Sequence, residues 1–132
     1  MTYVPSTYTD FKNSVSLATT ASITLSGEQT IDGFLTASSR VLVKNQGTSA
    51  NGLYVSAAGA WVRATDADQN LEITPGMMVT VEQGTVNQDT VWTVTNDTAI
   101  TIGSTTITFA QISGSGSTDL NPAYRRSWFG VG

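Results

Sequence analysis

The chain has 132 residues, a formal net charge of −4, and neither histidine nor cysteine. It therefore has no disulfides or thiolate chemistry, and it lacks the side chain that most often serves as a general base. Its six basic residues are scattered except for one pair. This argues against nucleic acid as the main partner, because phosphate neutralisation needs a basic patch.

The length and hydropathy of the chain predict one domain that is not bound to a membrane. A chain of this size leaves too little sequence for a second core, and its hydrophobic fraction of 39% is ordinary for one packed core. No apolar run approaches membrane-spanning length, and residues 1–10 lack the basic and apolar regions of a secretory signal. The absence of cysteine also fits folding in a reducing cytoplasm.

Apolar residues alternate with period two along most of the chain, which is typical of half-buried β-strands. Threonine and valine dominate these stretches, and glycine and asparagine separate them. The alternation predicts about eight short strands, at residues 22–26, 40–44, 52–55, 61–63, 77–82, 91–95, 100–102 and 106–109. The stretch 40–44 is apolar enough to be buried on both faces.

Turn signals separate these strands at the regular spacing of a sandwich or barrel. Residues 58–60 predict a hairpin turn, 74–76 (Thr-Pro-Gly) a type II turn, and 103–104 the turn of a last hairpin. The predicted inward-facing residues are Ile23, Leu25, Val41, Val43, Leu53, Val55, Trp61, Val79, Val81, Trp92, Val94, Ile107 and Phe109. The predicted fold class is all-β: a single β-sandwich or barrel-like domain with extended N- and C-terminal arms.

Two terminal segments lie outside the alternating pattern. We predict an N-terminal arm at residues 1–16, a β-domain at 17–113, and a linker with a C-terminal docking tail at 114–132. The tail begins with the flexible-linker composition Gly-Ser-Gly-Ser.

Ten sequence blocks occur in order along the chain: ATTASITLSG (18–27), QTIDG (29–33), RVLVKNQ (40–46), NGLYV (51–55), GAWVRA (59–64), DAD (66–68), LE (71–72), TPG (74–76), VEQGT (81–85) and the hairpin 100–109. Together they resemble a β-domain found in bacteriophage tail and fibre proteins. The family pattern usually carries Gly-Asp before the RVLV strand, where this chain has Ser38 and Ser39. The resemblance covers about residues 17 to 116.

The resemblance implies a structural protein of the virion, made in the host cytoplasm, that docks to other virion proteins in the tail, neck or capsid. It also implies a homo-oligomer, most commonly a trimer. A tail or neck fibre or adaptor module is the first interpretation, and a capsid decoration protein is the alternative within the same class. From another class, a host-surface carbohydrate-binding module would present exposed aromatic and amide groups, with Tyr54, Asn51 and Asn45 as candidates.

Aromatic and arginine side chains near the two ends are the predicted partner-docking residues. These residue types are enriched at binding hot spots, and a short segment cannot bury them in a core of its own. The candidates are Tyr124, Arg125, Arg126, Trp128 and Phe129 in the tail, with Tyr3, Tyr8 and Phe11 in the N-terminal arm. Docking onto another chain is favoured over folding back onto the chain's own sheet.

The acidic residues give weaker functional signals. Asp32, Asp66, Asp68, Glu72, Asp89 and Asp97 all lie at predicted turns or strand ends, where carboxylates usually accept local backbone hydrogen bonds. We therefore predict that the protein is not an enzyme, although a carboxylate pair of glycosidase type is the remaining catalytic option. Residues 66–72 place oxygen side chains at alternate positions, as in calcium loops, but lack the glycine of a tight loop. No metal or other cofactor is predicted.

Overall fold

The structure is a computed structural model that describes residues 10–112. In this range every regular element is a short strand, so the prediction of an all-β fold is confirmed. The strands are β1 (Leu17–Ala18), β2 (Thr30–Ile31), β3 (Phe34–Leu35), β4 (Arg40–Val43), β5 (Gly52–Val55), β6 (Val62–Arg63), β7 (Met78–Val81), β8 (Thr90–Val94) and β9 (Phe109–Ile112).

The strands form three sheets. The largest has the order β1-β4-β5-β6, a second contains β7-β8-β9, and β2 and β3 form a separate hairpin. All pairings are antiparallel except that of β1 with β4. The β2–β3 hairpin turns at Asp32 and Gly33, which both have positive φ, as an Asp-Gly hairpin turn requires.

The strand β4 is buried on both faces, as its apolar sequence predicts. Its Leu42 and the paired Leu53 of β5 belong to a first core that also contains Val79, Val81 and Val94 of the β7-β8-β9 sheet. The two sheets therefore pack against each other as the layers of a small sandwich.

A second core covers the opposite face of the β4–β5 pair. Val41 and Val43 point to this side together with Tyr54, and Ile31 and Trp61 cover them. This second layer explains why three consecutive residues of one strand, from 41 to 43, are all fully buried.

Residues 10–16, which the sequence places in an arm, pair with the sandwich in the structure. The Lys12 amide donates to the Met78 carbonyl at 3.0 Å, and the Val15 amide donates to the Thr80 carbonyl at 2.9 Å. The chain then crosses to the other sheet, where the Ser16 amide donates to the Arg40 carbonyl. Val15 is fully buried in the first core, so this segment joins the edges of both sheets.

Three predicted strands differ from the observed ones. Residues 22–26 make one isolated bridge, from Ser26 to Ala60, and the Gln46 side chain bonds both the amide and the carbonyl of Ile23. Residues 100–102 form no strand and lead into a turn at 102–104, and the final strand runs over 109–112 instead of 106–109. In the first two stretches, side chains form hydrogen bonds with backbone groups that a neighbouring strand would otherwise pair.

Candidate docking surface

The predicted docking residues divide between described and undescribed parts of the chain. Phe11 lies beside β7, where it bridges Met78, and it is 62% exposed. The other candidates lie outside the described residues: Tyr3, Tyr8, Tyr124, Arg125, Arg126, Trp128 and Phe129. Their docking role therefore stays a prediction.

Phe11 lies on the outward face of the β7-β8-β9 sheet. Side chains alternate between the two faces of a strand, and residues paired across strands share a face. Since Val79, Val81 and Val94 point into the first core, their neighbours in sequence point outward. The outward face consists of Phe11, Met78, Thr80, Val91, Thr93, Ala110 and Ile112.

The paired positions of this outward face carry no charged residue, and the exposed Glu82, which follows Val81 and accepts a hydrogen bond from Ser14, lies at its end. Its members are apolar or threonine, Ala110 is exposed, and Ile112 is 40% exposed. Neither core cluster includes Met78, Val91 or Ile112, so no core of the described residues covers the face. A solvated face of an antiparallel sheet is normally polar, so the apolar side chains here make this face a candidate interaction surface.

Sequence reasoning found only Phe11 on this face. The alternation in β7 places Met78 and Thr80 opposite the inward Val79 and Val81, so that part of the face was available from the sequence. Ile112 was missed because the last strand was predicted to end at residue 109. The register of β9 has no local signal, and without it the outward residues of neighbouring strands cannot be matched.

Asp32 joins the β2–β3 hairpin to the loop that follows β7. Its carboxylate accepts hydrogen bonds from the amides of Val86, at 3.0 Å, and Asn87, at 2.9 Å. Its carbonyl accepts from the Thr85 amide, also at 3.0 Å. Asn87 is buried, and its side-chain amide donates to the Ala18 carbonyl at 3.4 Å. The TIDG and VEQGT blocks of the sequence therefore meet at one structural joint.

The candidate calcium loop, residues 66–72, uses two of its carboxylates within the protein. Asp66 forms a bidentate ion pair with Arg40, with both nitrogen–oxygen distances at 2.8 Å. Glu72 is 5% exposed and accepts the amides of Asp68 and Gln69. Within residues 10–112 no group of three or more acidic side chains is placed to hold a metal.

Lys12 brings a cation close to this loop. Its side chain is buried, and burial lowers the pKa of its amine, while the negative charges of Asp66 and Glu72 act in the opposite direction. The backbone of Lys12 belongs to the segment that pairs with β7. The negative charges of the loop therefore offset part of the cost of burying the Lys12 amine.

The candidate carbohydrate site is wrong at Tyr54 and Asn51. Tyr54 is 6% exposed, and its hydroxyl donates to the Ala50 carbonyl at 2.6 Å. Asn51 is 4% exposed, and its amide donates to the buried Ile107 carbonyl. A sugar needs an accessible aromatic face and free amide groups, and these two side chains instead hold the core and its loops.

Comparisons with known proteins leave the family open. No family model, no curated protein and no solved structure matches the chain. The likeness to phage β-domains therefore depends on the sequence blocks. In the part of the chain from residue 10 to 112, no helix is long and apolar enough to cross a membrane.

We expect Tyr54 to make stability depend on pH above about 10. Burial raises the pKa of its phenol, while the nearby Arg63 acts in the opposite direction. The unfolded phenol, with a pKa of about 10, then loses its proton first, so stability falls as the pH rises further. Tyr54→Phe is expected to lower the free energy of unfolding by about 1 kcal/mol at pH 8 through the lost hydrogen bond.

Urea unfolding of both proteins at pH 8 and near pH 11 tests this expectation. The difference between wild type and Tyr54→Phe should shrink at the higher pH, because only the wild type loses the contribution of a protonated Tyr54. The other tyrosines are common to both proteins and cancel in the comparison. An equal difference at both pH values would contradict the expectation.

Proposed function

We propose that the protein is a structural component of a bacteriophage particle, a tail or neck fibre or adaptor module. In this proposal a rigid β-body carries terminal segments that dock to neighbouring virion proteins, and copies of the chain associate as a homo-oligomer. No catalytic step is part of the proposal. The in-order sequence blocks that resemble phage β-domains are its starting point.

One structural observation supports it above all: the polar side chains of those blocks hold loops and strands together. Asp32 accepts the amides that follow Gly84, and Gln46 bonds both backbone groups of Ile23. Arg40 pairs with Asp66. Side chains used in this way make the body rigid, which suits a building block that transmits force and position.

The Arg63 side chain extends the same pattern to the loop before β5. It donates to the carbonyls of Asn51 and Ser49, at 3.1 and 2.7 Å. Its guanidinium also lies 5.1 Å from the centre of the Tyr54 ring. The arginine is therefore used to hold a loop and is not aimed at a ligand.

Immunogold labelling of purified particles tests the proposal. The particles are those of the phage that the proposal expects to encode the chain, and the antibody is raised against the full chain. We expect gold at the tail or neck. Particles of an unrelated phage serve as the control for antibody specificity.

Two other outcomes would overturn the proposal to different extents. Gold distributed over the head would replace the tail or neck assignment by the capsid decoration alternative. Unlabelled particles, with the protein detected only in the infected-cell lysate, would contradict a virion role of any kind.

A further inference from the structure

The outward face of the β7-β8-β9 sheet lies between the two points where the chain leaves the described body. Phe11, next to the first described residue, is on one edge of the face, and Ile112, the last described residue, is on the other. Both terminal segments therefore start beside the same largely apolar face.

The size of this face suits a short segment better than a second folded body. Three strands and the segment beside them span about 19 Å, and four residues along a strand span about 13 Å. The resulting area, about 250 Å², is well below the roughly 800 Å² that each partner contributes to a stable protein–protein interface. A few large side chains are enough to cover it.

The C-terminal segment 124–129 has the matching chemistry. It contains three aromatic residues in six positions, Tyr124, Trp128 and Phe129, together with Arg125 and Arg126. The aromatic rings fit an apolar face, and the arginines are opposite in sign to the net charge of the described body. Residues 10–112 carry nine acidic and four basic side chains, a net charge of −5, so the body attracts a basic segment.

We propose that the segment 124–129 covers the outward face of its own copy. Eleven residues, 113–123, separate Ile112 from Tyr124, and a glycine- and serine-rich linker of that length has a typical end-to-end distance of about 18 Å. That distance matches the width of the face. A short linker gives the attached segment an effective concentration in the millimolar range, which favours the same copy over a neighbour in dilute solution.

Covering the outward face protects the free protein against self-association. An exposed apolar sheet face invites contacts with other copies, and the segment removes it from water until assembly. If the proposed function holds, the segment 124–129 exchanges this internal contact in the particle for a contact with a neighbouring protein. This inference concerns the free chain and does not require that the protein is a virion component.

Disulfide trapping in the full chain tests the inference, because the natural sequence contains no cysteine. The test variant combines Ala110→Cys, on the outward face, with Ser127→Cys in the segment. The matched control combines Ser127→Cys with Leu35→Cys, a 70% exposed position on β3. Its hairpin is joined by Asp32 to the loop before β8, and β8 pairs with β9, after which the tail begins.

Each variant is equilibrated in glutathione buffers at micromolar protein concentration, and its disulfide is quantified by mass spectrometry and non-reducing electrophoresis. We expect a disulfide within the monomer, with an effective concentration at least about tenfold higher for the 110–127 pair than for the 35–127 pair. Circular dichroism before oxidation establishes that both variants are folded.

Two results would overturn the inference. Equal effective concentrations for the two pairs would mean that the segment has no preference for the outward face. Covalent dimers formed through the 110–127 pair, in place of monomers, would assign the face to the segment of a neighbouring copy. Neither result bears on where the protein lies in a particle, so a failure here is distinguishable from a failure of the proposed function.

Discussion

Gly84→Ala is expected to lower the free energy of unfolding by about 2–4 kcal/mol, because it combines backbone strain with the disruption of hydrogen bonds. Gly84 has a φ of +138°, a conformation that side chains with a Cβ rarely adopt. A Cβ at this position would also clash with the Asp32 carboxylate and lie 3.4 Å from the Asn87 amide nitrogen. The hydrogen bonds at risk are those that join the β2–β3 hairpin to the body.

Substitutions at two other glycines separate the effect of backbone strain from that of the disrupted hydrogen bonds. Gly59 has ordinary φ and no atom within 4 Å of the position that a methyl group would take, so Gly59→Ala is expected to change stability by less than about 0.5 kcal/mol. Gly103 has equally open surroundings but a φ of +86°, so Gly103→Ala is expected to cost about 1 kcal/mol from strain alone.

Equilibrium urea unfolding of the three variants, followed by tryptophan fluorescence, measures the series. The predicted order of destabilisation is Gly84, then Gly103, then Gly59. If Gly84→Ala were no worse than Gly103→Ala, the Asp32 joint would contribute nothing beyond local backbone strain. The joint would then not explain why the TIDG and VEQGT blocks occur together.

Much of the body could be predicted from the sequence because alternation reports directly which side of a strand is buried. Val79 and Val81 face the core as their spacing indicates, and the run at 41–43 is buried on both faces. The Asp32–Gly33 turn also forms where the sequence signals it. These features are local, so a short window of sequence contains the information that determines them.

The parts that could not be predicted depend on contacts between distant residues. Residues 22–26 alternate like a strand, but the Gln46 side chain satisfies Ile23 in place of a neighbouring strand. Residues 10–16 show no sustained alternation, yet they pair with β7 and then lead into β1. The outward face was missed for the same reason, since strand register is a property of the folded sheet.

Trp61 is the residue on which the second core depends most. It is 6% exposed and packs with Val41, Val43 and Tyr54 over the face of the β4–β5 pair that points away from the sandwich. Its indole nitrogen donates to the Gly27 carbonyl at 2.8 Å. The side chain therefore covers this face and also holds the loop that precedes the β2–β3 hairpin.

Trp61→Ala is expected to lower the free energy of unfolding by about 3–5 kcal/mol, since it leaves a cavity under the loop and removes the shorter of the two hydrogen bonds to the Gly27 carbonyl. Trp61→Phe keeps most of the packing and loses the hydrogen bond, so a loss of about 1–2 kcal/mol is expected. Val62→Ala, at a 63% exposed position, is the control and should stay within about 0.5 kcal/mol of wild type.

Thermal and urea unfolding of these variants, followed by circular dichroism, distinguish a structural second core from a loosely attached loop. Small domains have total stabilities of about 5–15 kcal/mol, so if Trp61→Ala leaves too little folded protein to measure, Trp61→Phe keeps the comparison possible. A loss below about 1 kcal/mol in Trp61→Ala would mean that the loop covers β4 and β5 without stabilising them. In that case the sandwich between the two larger sheets would carry the stability of the body alone.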